Sequence, residues 1–332
     1  MNFGRVISKK QNMKVKVIIV AWLIFSSFVQ VFAQNPNSPS ARSGYSMAYD
    51  ENRRVVVLFG GQDTVSRSLN DTWEWTNGVW NQINITGPSA RLNASMAYDA
   101  DKKKIFLFGG SAVSGLENDL WVYDGKSWSS LKTLSSPEPR QQATMAFDKS
   151  QSQLVLFGGM NRAKNFGDTW ILKNNQWTVL NVKGPTPRAS HGMAYDDALG
   201  AVVIYGGYVN ENASKEFWEF KDGVWNDLTD KNGPARLHEA ISYDPDKGRI
   251  LMFGGFNEQE RTNELWEYSN KKWSIIDSNK RENPDPRAEH RSVFIPGRGL
   301  FVFGGVIGTD PNTRNRGNDT WLYNGNSWLK MN

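Results

Sequence analysis

Residues 70–83 read NDTWEWTNGVWNQI, and Trp73 and Trp80 lie seven residues apart in this stretch. A similar sequence returns at residues 118–128 as NDLWVYDGKSW and at residues 318–328 as NDTWLYNGNSW. Each tryptophan pair encloses a short turn sequence such as YDGKS, which predicts a tight hairpin with one tryptophan on each strand. Such a large aromatic residue at so regular a spacing indicates an internal repeat.

Pairs of glycines give the length of this repeat. They occur at residues 60–61, 109–110, 158–159, 206–207, 254–255 and 304–305, at intervals of 48 to 50 residues. Each pair ends an apolar run such as VVVLFGG, QLVLFGG or RILMFGG, and runs of this composition are typical of buried strands. A short strand such as SMAYD precedes each run, and the tryptophan hairpin follows it. The glycines supply backbone freedom where the second strand ends.

Four short strands per repeat, six times over and without a helical period, predict an all-β fold, a six-bladed β-propeller with four antiparallel strands per blade. The blades are expected at approximately residues 40–86, 87–135, 136–183, 184–231, 232–281 and 282–332. The first repeat begins with strand one, and the last repeat ends with strand four. We therefore expect no blade shared by the two chain ends. The junction of blades 1 and 6 would then depend on side-chain packing alone and open most easily.

The sequence resembles the kelch-repeat β-propeller family from about Pro39 to Asn332. The resemblance rests on six copies of an arginine, a glycine pair, an acidic residue two positions before a tryptophan, and that tryptophan. Its type is that of the secreted, galactose-oxidase-like central domain, without the copper site. The copper radical oxidases of this type need a tyrosine cross-linked to a cysteine, and this chain has no cysteine. The kelch resemblance implies little about activity, because one fold hosts many functions.

Residues present in every repeat are explained by what every blade must do, which is pack. Twelve of the 14 tryptophans belong to the pairs; exposed stacking platforms are the alternative. An arginine precedes the first strand of each blade, and an acidic residue at the same end precedes the first tryptophan. Arginine suits bidentate contact with carboxylates, so we expect structural ion pairs, with ligand binding by the arginines as the alternative. The arginines are Arg42, Arg91, Arg140, Arg188, Arg236 and Arg287, and the acids are Asp71, Asp119, Asp168, Glu216, Glu264 and Asp319.

Residues 1–33 have the pattern of a secretory signal peptide. The basic MKVK at residues 13–16 precedes an apolar run at residues 17–31, and small residues flank Phe32, which suits cleavage after Ala33. An uncleaved membrane anchor is the alternative, although the run is short for a spanning helix. We expect a secreted or periplasmic protein that has no membrane contact after cleavage and is stable without disulfides.

Net charge gives no support for a nucleic-acid-binding surface. The first 33 residues contain five of the 39 Lys and Arg and none of the 34 Asp and Glu. The remainder of the chain therefore carries equal numbers of basic and acidic side chains, whereas nucleic-acid binding calls for a basic patch.

Segment lengths predict which face binds a ligand. The spans that contain the turns of one face are almost constant in length, whereas the connections on the other face vary. Both long connections, at residues 277–286 and 306–318, belong to blade 6. Insertions gathered on one face usually mark the binding face of a repeat protein. Neutral drift in exposed loops is the alternative.

Blades 4 to 6 carry the residues that differ most between repeats near this face. The histidines follow the repeat arginine by two or three positions, and an aromatic residue follows the glycine pair on blades 4 and 5. We predict a polar and aromatic mouth; structural histidines are the alternative, since the kelch pattern often has histidine at the third position. A shared metal site is not expected, because imidazoles from separate blades would have to meet at one point. The candidate ligand-binding residues are His191, Tyr208, His238, Glu239, Phe256, Arg287, Glu289, His290, Asp310, Arg314 and Arg316.

Two classes of function remain. The first is a secreted binding module that recognises a protein segment or a glycan on the variable face. The second is a cofactor-independent carbohydrate-active enzyme of the sugar mutarotase or epimerase kind, which needs an acid and a base close together. Only Glu239, Glu289 and the histidines could supply them. We favour binding, assign no catalytic residue, and expect a monomer with no cofactor, no metal and no nucleic-acid partner.

Overall fold

The computed structural model describes residues 38–276 and 282–331, together with Met1. The predicted signal peptide and part of the long connection before the sixth repeat lie outside these ranges. Within them the chain forms strands, turns and bends and no helix, and all strand pairs are antiparallel. No helix with the length and apolarity needed to cross a membrane occurs in the part of the chain that is described. The fold is an all-β propeller built from repeated antiparallel sheets.

Six sheets of four or five strands, numbered here 1 to 6 in chain order, account for most of the described chain. In each sheet the strands follow one another in sequence order from an inner strand to a fourth strand. The inner strands are Ser46–Asp50, Ser95–Asp99, Thr144–Asp148, Gly192–Asp196, Ala240–Asp244 and Arg291–Ile295. The second strands are Val55–Asp63, Lys104–Phe108, Gln153–Phe157, Ala201–Tyr205, Arg249–Phe253 and Gly299–Ile307.

The tryptophan hairpins form the outer half of each sheet. The third strands are Ser68–Thr76, Leu120–Tyr123, Thr169–Lys173, Phe217–Lys221, Leu265–Ser269 and Arg316–Tyr323. The fourth strands are Val79–Ile83, Trp128–Ser130, Gln176–Leu180, Val224–Asp227, Lys272–Ile276 and Trp328–Lys330. The first tryptophan of every pair therefore lies on a third strand and the second on a fourth strand, as predicted.

Seven two-residue strands extend the connections between these elements. Arg42–Ser43 adds to the second strand of sheet 1, and Arg287–Ala288 adds to that of sheet 6. Arg91–Leu92, Ser111–Ala112 and Gly115–Leu116 form a small three-stranded sheet, and Tyr208–Val209 pairs with Asn212–Ala213.

The core lies between the sheets. The second strands are almost fully buried on both faces, as their continuous apolar runs require. Six clusters of buried apolar side chains fill the gaps, each between two neighbouring sheets: 1 and 2, 2 and 3, 3 and 4, 4 and 5, 5 and 6, and 6 and 1. The inner strands lie side by side in the same cyclic order around a central channel.

The junction of sheets 6 and 1 is hydrogen-bonded as well as packed. The Trp80 indole donates to Thr320 Oγ1 at 3.0 Å, and Gly44 N donates to the Glu289 carbonyl at 3.0 Å. Arg316, on the third strand of sheet 6, donates to Ser43 Oγ at 3.1 Å. The expectation that packing alone holds this junction is wrong, because backbone and side-chain groups of the first and last repeats form hydrogen bonds there.

The glycine pairs are required by contact between sheets. At Gly206 a Cβ atom would lie 2.7 Å from the Arg236 carbonyl and 2.7 Å from Glu239 Oε1, both in the next sheet. At Gly207, where φ is +93°, it would lie 2.8 Å from His191 Cβ. A side chain at either position would displace the residues that line the channel, so the glycines help to position the candidate site.

Candidate functional site

The repeat arginines are buried and paired with the repeat acids. Arg42, Arg91, Arg140 and Arg287 each form two parallel bonds with an aspartate; for Arg140 and Asp168 these measure 2.6 and 2.9 Å. Arg188 and Arg236 each form one bond, with Glu216 and Glu264. Arg287, one of the candidate ligand-binding residues, is 0% exposed, and its guanidinium is occupied by Asp319 and two backbone carbonyls.

The acid of each pair also fixes the first tryptophan. One oxygen of each acid accepts both an arginine N–H and the indole N–H of the tryptophan two residues later, the latter at 2.6 Å for Asp71 and Trp73 and at 3.0 Å for Glu264 and Trp266. All six acids make this bond. One repeated carboxylate therefore links the start of the inner strand to the third strand, and the recurrence of both residue types follows from that geometry.

A closed ring of backbone hydrogen bonds surrounds one end of the channel. In each sheet the residue two positions after the repeat arginine donates its N–H to the carbonyl of the equivalent residue in the preceding sheet, at 2.6–3.2 Å. All six have φ between 55° and 63°, a left-handed conformation that is uncommon for non-glycine residues. These residues, the mouth ring, are Gly44, Asn93, Gln142, Ser190, His238 and Glu289.

His238 and Glu289 are neighbours in the mouth ring and interact electrostatically. Burial lowers the pKa of His238, and the negative charge of Glu289 opposes this. Burial works to raise the pKa of Glu289, but the His238 charge and a hydrogen bond from Ser43 Oγ at 2.9 Å leave it below its usual value. Arg314 Nη1 lies 3.9 Å from Glu289 Oε1 and is largely exposed. This part of the mouth therefore carries both signs of charge.

On sheets 4 and 6 the residue that follows the mouth-ring residue is a histidine, and it packs against the preceding sheet. His191 packs edge-on against Phe157 and lies with Nε2 2.5 Å from Thr144 Oγ1. His290 packs in the same way against Phe253, but neither of its ring nitrogens makes a hydroxyl contact like that of His191 with Thr144. The difference follows from the sequence, because Ala240 occupies the position in sheet 5 that Thr144 occupies in sheet 3.

Glu239 is the carboxylate of this layer and is 2% exposed. Its Oε1 accepts the Gly192 N–H at 2.9 Å, whereas its Oε2 is buried without a partner. Burial raises the pKa of Glu239 to about 7. Burial, together with the positive charges of Arg188 and Arg291, holds the pKa of His191 well below its usual range. A neutral carboxyl group and a neutral imidazole thus coexist in this layer near pH 6.

Arg291 is the cationic side chain that sequence reasoning missed. It begins the inner strand of sheet 6, four residues after Arg287. The equivalent residues on the other sheets are small: Ser46, Ser95, Thr144, Gly192 and Ala240. Comparing this one position across the six repeats would have revealed it.

These residues enclose a cavity on the channel axis with a volume of about 90 Å³. His191, Glu239 and Arg291 contribute its ionisable groups, and Ser46, Ser95, Thr144 and Ser292 contribute hydroxyls. This is the central cavity. The second residue of five inner strands lines the floor of the central cavity. These residues are Met47, Met96, Met145, Met193 and Ile241.

The long connection of sheet 6 is held by a neighbouring arginine. Arg261 in sheet 5 donates to four of its backbone carbonyls, those of Gly308, Asp310, Pro311 and Thr313. The Asp310 side chain accepts the Asn312 N–H within the same connection. The Arg316 guanidinium is bound to Ser43 and Gln62 of sheet 1.

The structure divides the predicted site residues into two groups. His191, His238, Glu239, Glu289 and His290 come together at the mouth ring and in the layer beneath it. Tyr208 and Phe256 lie outside this group, on bridges to Ala189 and Leu237 in the connections that flank the channel. Arg287, Asp310, Arg314 and Arg316 do not line the central cavity. A separate groove of about 730 Å³ between the connections of sheets 2 and 3 had no counterpart in the sequence prediction.

Over residues 38–276 and 282–331, no three His, Asp or Glu side chains are arranged to hold a metal ion.

Comparison with known families gives one match. The family model described as the KLHDC2/KLHL20/DRC7 Kelch-repeats domain matches residues 9–194 and 124–242. Together these matches span more than half of the chain and confirm the predicted kelch resemblance. No individual curated protein matches the chain.

Proposed function

The chain belongs to the kelch-repeat family, and we propose that it is an exported binding module that recognises a segment of a partner protein at the mouth of its channel. The family match itself indicates a protein-binding propeller. The binding face would be the one formed by the inter-sheet and strand 2–3 connections, around the mouth ring and over sheets 4 to 6.

The main support for this proposal is that the side chains that differ between repeats are concentrated near the mouth of the channel. The repeated arginines, acids and tryptophans are engaged within and between sheets, which leaves few of their polar groups for a ligand. Near the mouth, by contrast, sheets 4 to 6 carry ionisable side chains. At the equivalent positions of sheets 1 to 3 the side chains are small or uncharged, and Tyr45 is the one large residue among them. A fixed backbone ring with unlike side chains on one half suits recognition of an asymmetric ligand.

We also propose that the propeller has six blades and no blade shared by the chain ends. The six-membered mouth ring supports this closure, as does the bond from Trp80 to Thr320. Sheet 1 is built from residues 42–83 and sheet 6 from residues 287–330. Each blade would then be one continuous segment of chain.

A protein segment fits the mouth better than a whole sugar ring in the central cavity. Sites that enclose small ligands usually measure about 300–1,000 Å³, and the central cavity offers about 90 Å³. Glu239 and His191 are the acid and base that a mutarotase would need, and they line that small space. The alternative is a glycan bound on the outer rim, against Tyr208 or Phe256. The first experiment must distinguish this glycan from a protein segment.

Peptide and glycan arrays probed with the exported protein, together with an NMR assay of sugar anomerisation, test this function. We expect saturable binding to a defined set of peptides, and loss of that binding in the His238→Ala variant. Binding to glycans alone, or acceleration of anomerisation that Glu239→Gln abolishes, would overturn the proposal in favour of a carbohydrate-directed function.

Export is tested separately by intact-mass and N-terminal analysis of the native protein. Cleavage after Ala33 should leave Gln34 as the first residue. An exported protein that retains residues 13–33 would contradict the predicted signal peptide and support a membrane anchor.

A further inference from the structure

Arg291 is a partly buried arginine that differs from the repeat arginines because it lacks a carboxylate partner. Arg42 binds Asp71 and Arg188 binds Glu216, and Arg249 contacts both Asp244 and Glu267. The one side-chain hydrogen bond found for Arg291 within the described ranges runs from Nη1 to the His290 carbonyl at 3.2 Å. Removal from water lowers the pKa of Arg291, although Tyr45, Glu289 and Glu239 oppose this. The guanidinium therefore has N–H donors that no protein carboxylate occupies, and these are available to a ligand beside it.

The space beside Arg291 has the size of a small ligand. The central cavity of about 90 Å³ adjoins its side chain, and one water needs only ~10–15 Å³ by the same kind of measure. Glu239 borders the cavity with Oε2 buried and without a partner. Donors and an unpaired acceptor that converge on one cavity mark it as a binding site rather than a packing defect.

The hydroxyl groups of the cavity wall narrow the choice of ligand. Ser46 and Ser95 donate to the carbonyls of Ala94 and Ala143, at 2.8 and 2.6 Å. Thr144 is engaged with His191, and Ser292 with Ser242 at 2.8 Å. The Arg291 guanidinium is therefore the main free donor, and it matches a single planar carboxylate with one negative charge.

We propose that the central cavity binds one small monocarboxylate, of about the size of acetate, through the Arg291 guanidinium. The second contact would come from the carboxyl group of Glu239 when it is protonated, with Oε2 donating to the ligand. This site is independent of the proposed protein partner, because it lies beneath the mouth ring and takes a free small molecule.

The ionisable groups around Arg291 predict how binding depends on pH. Those that face it are His191 on sheet 4, His238 and Glu239 on sheet 5, Glu289 and His290 on sheet 6, and Tyr45 on sheet 1. Burial lowers the pKa of His238, and the charge of Glu289 opposes this. Burial keeps the pKa of His191 and His290 well below the usual value and that of Tyr45 above it, so these three are neutral between pH 6 and 8. Glu289 is ionised throughout. The pKa of Glu239 is raised to about 7. As pH rises from 6 to 8, Glu239 would therefore gain a negative charge and compete with the ligand for Arg291.

Thermal unfolding of the whole exported protein in acetate, at constant ionic strength and pH 6, tests the site. A ligand that binds only the folded state raises the melting temperature in a saturable manner. Sodium chloride, sulfate and phosphate at matched ionic strength separate a carboxylate site from a general salt effect. We expect a shift with acetate that these salts do not reproduce. An equal shift with sulfate or phosphate, or no shift at about 100 mM acetate, a hundredfold above a Kd of 1 mM, would overturn the proposal.

Arg291→Gln should remove the acetate shift, with affinity reduced at least about tenfold because a charge-assisted contact is lost. Arg298→Gln is the matched control: it removes the same charge from the exposed turn at the other end of the sheet 6 inner strand, over Trp75. It should keep the full shift. Equal acetate shifts in wild type and Arg291→Gln would contradict the proposal.

Glu239→Gln keeps the test decisive even where Arg291→Gln fails to fold. Acetate affinity of the wild type, measured by NMR titration of labelled acetate, should fall between pH 6 and 8, and that of Glu239→Gln should stay constant. Parallel pH profiles for the two proteins would overturn the assignment of Glu239 to the site. Failure of both acetate experiments would leave the array results at the mouth unaffected.

Discussion

The buried repeat arginines are distributed around the molecule in ion pairs, and each pair gains from several bonds at once. Arg140 donates to Asp168 twice, to the Gly158 carbonyl at 3.0 Å and to the Glu138 carbonyl at 3.0 Å. Arg236 is the exception: its Nε is buried without a partner, and its acid, Glu264, is 39% exposed. The carbonyl two residues before Arg236, that of Pro234, accepts the Tyr205 hydroxyl instead, at 2.6 Å.

The unequal settings of these two arginines predict unequal costs of substitution. Arg140→Gln should lower the free energy of unfolding by about 3–5 kcal/mol, because it removes a fully buried guanidinium with its bonds to two backbone carbonyls and to both oxygens of the partly buried Asp168. Arg236→Gln should cost clearly less, since Glu264 can be solvated. Chemical denaturation of the two variants measures the difference. Equal losses of unfolding free energy in the two variants would show that the additional bonds made by Arg140 do not contribute to stability.

Glu239 makes stability depend on pH in a direction opposite to that of an ordinary paired carboxylate. Its pKa is raised from 4.5 to about 7 in the folded protein. Its stabilising contribution is therefore complete below about pH 4.5 and is lost as pH rises through 7, a change of at most about 3 kcal/mol. The lowered histidine pKa values act in the other direction but are common to the wild type and a Glu239 variant.

We therefore expect the melting temperature of Glu239→Gln, minus that of the wild type, to become more positive between pH 5 and 8. Differential scanning fluorimetry across this range measures the difference. A constant difference would mean that Glu239 is already ionised in the folded protein at pH 5.

At the level of single residues, the sequence predicted what all repeats share and missed what one repeat does alone. The six arginines and six acids recur at fixed positions, so their proximity could be predicted from any one blade. The unsatisfied Arg236 Nε depends on a competing bond from Tyr205, which no repeat pattern encodes. Arg291 interrupts a series of small residues and was detectable, but the prediction had weighed histidines and aromatic residues instead.

Among the elements, the fourth strands differ in how they bind the neighbouring sheet. The indoles of Trp80, Trp128 and Trp225 donate to Thr320, Thr72 and Thr169 at 2.9–3.0 Å. Those of Trp177, Trp273 and Trp328 are buried without a partner, because leucine or phenylalanine occupies the threonine position: Leu120, Phe217 and Leu265. Three junctions thus carry an indole hydrogen bond, and three depend on packing at this point.

Removing a threonine acceptor should therefore weaken a junction by a measurable amount. Thr72→Val keeps the shape of the side chain but leaves the Trp128 indole without its partner, at a cost of about 1–3 kcal/mol. Thr178→Val, on an exposed position of the sheet 3 fourth strand, is the control and should change stability by no more than about 0.5 kcal/mol. Equal effects in urea denaturation would show that the indole bond is not stabilising.

The main strands were predictable because burial on both faces leaves a continuous apolar run and each run ends at a glycine pair. The small sheets were not. Tyr208–Val209 and Ser111–Ala112 are two-residue pairings in polar connections, and they depend on loops that only three-dimensional packing brings together.

At the scale of the whole molecule, the first and last sheets meet in a junction built like the others. The mouth ring passes through Gly44 and Glu289 as it does through Ser190 and His238. The sequence could not show this, because closure brings together residues about 250 positions apart that no local pattern connects. The predicted weakness of that junction was derived from packing alone and must be revised.

Hydrogen exchange should find the amides of Gly44 and Arg291 protected to a similar degree as those of Ser190 and His238. The reason is that both amides are bonded across the junction: Gly44 N donates to the Glu289 carbonyl and Arg291 N donates to the Tyr45 hydroxyl, at 3.0 Å each. Much faster exchange in sheets 1 and 6 than in sheets 3 and 4 would restore the view of a weak junction.

The central claim is that repeated residues hold the fold and that the differing residues of sheets 4 to 6 bind the partner. The most direct test measures binding and melting temperature together for His238→Ala with Tyr208→Ala and, separately, for Arg140→Ala, using a peptide that the wild type binds. The double variant should lose binding while its melting temperature changes by no more than about 2 °C, and Arg140→Ala should lose stability but bind normally once folded. Parallel loss of binding and stability in the double variant, or intact binding, would contradict the account.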